Sequence, residues 1–90
     1  MASLDVVHLH RLGSCRGRLD VTREGVVFFS DGDGEEAFIL NYAEFLHALS
    51  DDTLTLKSAT RTYRFKTTAS TSESKLRLRD LADRIARSGR

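Results

Sequence analysis

The sequence predicts a mainly β domain of about six or seven short antiparallel strands followed by one C-terminal α-helix, and three stretches carry that prediction. Gly17 to Ser30 is an alternating run, a glycine-closed turn and a β-branched, aromatic run. Thr53 to Lys66 reads as a second hairpin, with leucines alternating with threonines, a Ser58-Ala-Thr-Arg61 connection and a Tyr63/Phe65 arm. Leu78, Leu81, Ala82 and Ile85 then recur at the spacing of one helical face.

The first hairpin sets two faces. Side chains alternate across a strand, so Gly17, Leu19 and Val21 share one side while Arg16, Arg18, Asp20 and Thr22 take the other. The loop Thr22-Arg23-Glu24-Gly25 places glycine where a three-residue hairpin loop commonly needs a left-handed backbone. Across the turn, Val26 and Phe28 continue the apolar face. Val27 and Phe29 point the opposite way, so the second side is partly apolar too and calls for cover or a partner.

Before this hairpin, residues 5–11 read as a first strand, with Val7 and Leu9 alternating against His8 and His10 and the histidines on the wet side. Leu12-Gly13-Ser14 is expected to break it. After the hairpin, Asp31 to Glu36 is an acidic, glycine-bearing turn, and Ala37 to Leu40 resumes a strand. Phe45 to Leu49 is too short to choose between strand and helical turn. In the second hairpin Leu54, Leu56, Tyr63 and Phe65 share a core face, with Arg64 and Lys66 outward. Ser70 with Glu73 fits a capping box for the helix, Glu73/Arg77, Asp80/Arg84 and Asp83/Arg87 are i,i+4 pairs, and Gly89 is a stop.

Ninety residues form a single domain spanning 1–90, and a chain of this size buries only about 60–65 % of its unfolded surface, so one small core is expected. Hydrophobic residues at 40 % and charged residues at 30 % fit an ordinary globular chain, with no apolar run approaching the roughly 18 residues of a membrane span. Met1 to Asp5 has neither the basic start nor the apolar segment of a secretory signal, and Cys15 is the sole cysteine. A reducing compartment, the cytoplasm, is the expectation. Net charge is +1, but residues 1–50 carry four arginines against eight acids and residues 51–90 ten basic residues against five acids. Within one domain such halves attract each other.

The strand order and terminal helix describe a small barrel capped by the helix. Over residues 6–87 the pattern resembles the pleckstrin-homology-like superfamily with its GRAM relatives. The likeness rests on Leu19-x-Val21, a turn, Val26-x-Phe28, and a last Tyr63-Arg-Phe65 strand leading into a helix. It implies a non-enzymatic binding or adaptor module. Phosphoinositide-binding members carry a basic residue late in the first strand and a basic-x-basic pair in the second, which Arg11 and Arg16-Gly-Arg18 match, so these three are the candidate anion-binding residues. Converging guanidinium groups suit phosphates because each offers a planar fork of donors. Two departures disfavour lipid: the Leu12 to Ser14 loop is much shorter than a phosphate-cradling loop, and the Asp31 to Glu36 loop would repel an inositol phosphate. The helix also lacks the family's frequent tryptophan.

Other chemistry is weakly framed. His8-x-His10 with Cys15 is a thin metal signal without a CxxC or HxxxH companion. Asp31-x-Asp33 opens like a calcium loop, but the twelfth position holds Tyr42 instead of glutamate. No motif frames a nucleophile with a histidine base, and no cofactor motif is present, so neither enzyme activity nor a cofactor is expected. Arg61, Arg64, Lys66 and the helix bases could face nucleic acid, but acids interrupt them and no aromatic side chain stands ready to stack. The expected activity is therefore protein binding or self-association through an exposed strand edge or the Val27/Phe29 face, with the basic strand face as the alternative.

Overall fold

The computed structural model describes residues 2–10, 13–30, 37–50, 52–69 and 71–88, with side chains at all of these except positions 2 and 10. Arg11, Asp51, the acidic turn 31–36, Ser70 and Gly89 lie outside the described residues. Seven strands follow one another as β1 (Ala2–His10), β2 (Gly13–Val21), β3 (Gly25–Ser30), β4 (Ala37–Asn41), β5 (Phe45–Ser50), β6 (Thr53–Ser58) and β7 (Thr62–Thr67). A 3-10 turn, Tyr42–Glu44, separates β4 from β5, and α1 (Ser72–Ser88) ends the chain. All strand pairs are antiparallel in one sheet of order β4-β3-β2-β1-β7-β6-β5. The described helix is not long and apolar enough to cross a membrane.

The expected barrel is corrected to an open sheet. The edge strands β4 and β5 are joined by only three residues, so the sheet must curl until its edges meet at that corner. No ladder links them among the described residues. The helix fills the gap instead: Leu78, Leu81, Ala82 and Ile85 are buried against Val6, Leu19, Val21, Val26, Phe28, Leu40, Phe45, Leu54, Leu56, Tyr63 and Phe65. An isolated 17-residue helix is marginal in water, so this apolar stripe, worth roughly 1.5–3 kcal/mol per large side chain, is what holds it helical. The helix opens at Thr71, one residue past the expected Ser70. There Thr71 Oγ1 accepts a hydrogen bond from the Ser74 amide at 3.1 Å. Glu73, expected to complete the box, instead accepts from Arg77 Nη2 at 2.9 Å.

One open choice is settled and two further expectations change. The segment 45–49 is strand, paired in register with β6 from Phe45↔Ser58 to Ser50↔Thr53. Gly13 and Ser14 do not break the chain but open β2, opposite His10 and Leu9. The faces of β1 are the reverse of the reading: Val6 and His8 are buried, whereas Val7 and Leu9 are half-buried on the other side. Val-Val-His-Leu-His allows either alternation, and counting apolar residues favours the wrong one. Register puts Val7 between Arg16 and Lys66, and Leu9 between Ser14 and Arg64. Long basic side chains can shield such residues with their aliphatic stems.

Gly25 is special for a different reason from the one expected. Its φ is not in the left-handed region, but a Cβ there would fall on the backbone carbonyl of Leu40 in β4. The loop is held by threonine: Thr22 N and Oγ1 both donate to Gly25 O, at 2.9 and 2.8 Å, and Oγ1 accepts from Gly25 N at 3.2 Å. Tyr42 Oη donates to Thr22 O and ties this loop to the β4–β5 corner. Gly25→Ala is expected to cost about 2 kcal/mol, because backbone must move. Gly13→Ala, whose Cβ would meet nothing within 4 Å, should stay within about 0.5 kcal/mol of wild type. Urea unfolding followed by circular dichroism compares the two.

Candidate interaction surface

With α1 packed on the inner face of the sheet, the outer face is left without a covering element among the described residues. Alternation and register together decide what it presents. In β3 the outward residues are Val27 and Phe29, as the sequence predicts. Val27 stands opposite Ile39 of β4 and Asp20 of β2, and Phe29 opposite Ala37 and Arg18. Val27, Phe29, Ala37 and Ile39 thus make one apolar block at the β3–β4 margin. Phe29 is 46 % exposed and Ile39 67 % exposed. Ile39 was not singled out in the sequence, because its outward aim depends on the β3–β4 register and the connecting segment 31–36 gives no period.

This block borders a bare edge. β4 reads Ala-Phe-Ile-Leu-Asn, with no charge and no proline, and one side of its backbone has no strand partner among the described residues. Natural sheets usually protect such an edge with lysine, proline or a bulge. The other edge, β5, likewise carries no Lys, Arg, Asp or Glu, and its outward Leu46 is 76 % exposed.

The candidate anion-binding residues are placed as follows. Arg16 and Arg18 both lie exposed on the outer face, two residues apart, while Arg11 is outside the described residues. Arg18 is already engaged: its guanidinium carbon lies 6.0 Å from the Phe29 ring centroid, and its Nε lies 3.1 Å from Asp20 Oδ1. That oxygen is shut off from solvent and receives no well-aligned hydrogen bond, so the Arg18 charge is its compensation. The further bases do not converge on Arg16 and Arg18. Arg64 and Lys66 sit on the outer sheet face, the helix bases on the far side, and Arg61 stacks over Tyr63 at 5.5 Å. Tyr63 and Phe65 are buried and present no ring to a nucleobase.

His8 is not on the wet face. It is 4 % exposed, stacked on Phe65 with ring centroids 5.1 Å apart and edge-on to Phe28 at 5.1 Å, and Cys15 Sγ lies 3.9 Å from its Nδ1. The His10 side chain lies outside what is described. Among the described residues no three His, Cys, Asp or Glu side chains gather as a metal site would require.

Comparisons with known proteins add the fold alone. No family model matches the chain, and no curated protein matches it. Among solved structures it is similar to the C-terminal domain of an unknown protein from Leishmania infantum, with a TM-score of 0.72 and 14 % identity over 96 % of this chain and 83 % of that one.

Arg18→Leu is expected to destabilise the protein by about 1 kcal/mol more than Arg16→Leu, because it leaves the secluded Asp20 oxygen without a compensating charge. Thermal unfolding of the two variants at equal salt measures the difference. An equal effect would remove Arg18 from that structural part.

Proposed function

We propose that this chain is a non-enzymatic, pleckstrin-homology-like binding module of the cytoplasm that engages protein, foremost a second copy of itself, through the β4 edge and the outer face beside it. The observation behind the reading is the side-by-side exposure of Phe29 and Ile39 on a sheet face the helix does not cover. Free strand edges offer main-chain hydrogen bonds to an added strand, and an adjoining apolar patch supplies side-chain contacts. The seven antiparallel strands and terminal helix agree with the strand pattern on which the family resemblance rests. Cys15 and His8 face each other inside an aromatic cluster, an arrangement suited to packing more than to turnover of a substrate.

The alternative, an anionic ligand on Arg16 and Arg18, draws less support because Arg18 is committed to Asp20 and Phe29.

Sedimentation velocity on the whole chain up to about 1 mM, where even a contact of −4 kcal/mol is half-formed, tests self-association. The wild type is expected to shift from monomer to dimer with concentration. Ile39→Lys should keep it monomeric with little change in unfolding midpoint, since that side chain is 67 % exposed. A wild type that stays monomeric over the whole range overturns the reading.

A further inference from the structure

A second site stands apart from that surface, where the β2–β3 loop meets the helix. The β2–β3 loop and the last turns of α1 border an open cleft of about 620 Å³ lined by Val21, Thr22, Arg23, Glu24, Arg84, Arg87 and Ser88. Three arginines from two distant parts of the chain therefore line one concavity, with a single acidic residue, Glu24, among them. The sequence pairs Arg84 with Asp80 and Arg87 with Asp83, yet neither ion pair forms, although Glu73–Arg77 does on the same helix. Arg23 also has no ion-pair or hydrogen-bond partner among the described residues. The platform under Arg23 is rigid, since Thr22 closes the loop on Gly25 and Tyr42 holds Thr22 from the neighbouring corner.

We propose that this cleft binds a phosphate monoester dianion. Three guanidinium groups and one carboxylate leave a net of two positive charges, the complement of a phosphomonoester near neutral pH. The partial negative charge at the C-terminal end of α1, roughly half a unit, helps the arginines tolerate the lack of partners but does not cancel them. Arg84 and Arg87 lie three residues apart on one helix face, and Arg23 reaches from the loop across the cleft, so donors approach a phosphoryl group from two sides. The volume exceeds what a bare phosphate needs and leaves room for the group that carries it. Glu24 and the Ser88 hydroxyl can meet hydroxyl groups on that carrier.

The test is titration of the isotope-labelled whole chain with inorganic phosphate, glycerol 3-phosphate and vesicles containing phosphatidic acid, with chloride at matched ionic strength as the blank. Shifts at Thr22 to Gly25 and Arg84 to Ser88 with phosphate or glycerol 3-phosphate identify a free phosphomonoester. Binding confined to the vesicles identifies the same dianion on a lipid. The R84Q/R87Q double variant should weaken whichever binding is seen by about tenfold, whereas R16Q/R64Q, which removes equal charge from the exposed outer face, should change it less than about twofold. Equal weakening in both double variants, or no response to any of the three probes beyond the chloride blank, overturns the proposal.

Discussion

The pairing of the first strand with the last is what makes one sheet of this chain. β1 to β4 is a meander of neighbours, and β5 to β7 is another, each assembled from connections a few residues long. Among the described residues only the ladder from Val6↔Thr67 to Leu9↔Arg64 joins them into one sheet. Closing some sixty residues of chain carries an entropy cost that grows only slowly with length, but it comes before most of the core can form. His8 lies at this junction, opposite Phe65 and stacked on its ring. An imidazole in the middle of an apolar core is thus placed where the two halves meet, and the Cys15 sulfur near Nδ1 gives its polar edge a neighbour.

Both hairpins were legible in the sequence because two independent signals agreed in each: an alternation, and turn residues that anchored its phase. Leu19, Val21, Val26 and Phe28, like Leu54, Leu56, Tyr63 and Phe65, are buried as their alternation requires. The helix stripe was legible for a similar reason, since about two turns of consistent spacing from Leu78 to Ile85 outvote local exceptions. Where one signal stood alone it misled. The first strand has two near-equal alternations and no turn to choose between them. The Ser/Thr-rich run before the helix offers several possible caps, so the observed start fell one residue late. Gly25 was picked out correctly, but the sequence could not show that the neighbouring strand, not the turn, forbids a side chain there.

The candidate surfaces divide along the same line. Val27 and Phe29 could be read from one strand. Ile39 needed the register between β3 and β4. The arginine cleft was out of reach, because Arg23 and the pair Arg84 and Arg87 are about sixty positions apart and meet only when the helix docks. The helical charge pairs, drawn from spacing alone, overcounted: one of three forms, since an exposed pair gains too little to dictate the rotamers of two long side chains.

The three-residue corner between β4 and β5 bears on how an assembly of this chain could grow. A flat sheet with two bare, uncharged edges is a template for fibres, because each added strand leaves another edge facing outward. Here both edges start from one corner, tied down through Tyr42 to the β2–β3 loop. With its two edges drawn to one corner, the sheet is not the flat ribbon that repeated edge addition needs, and its curl is in that sense a stop signal against an endless stack.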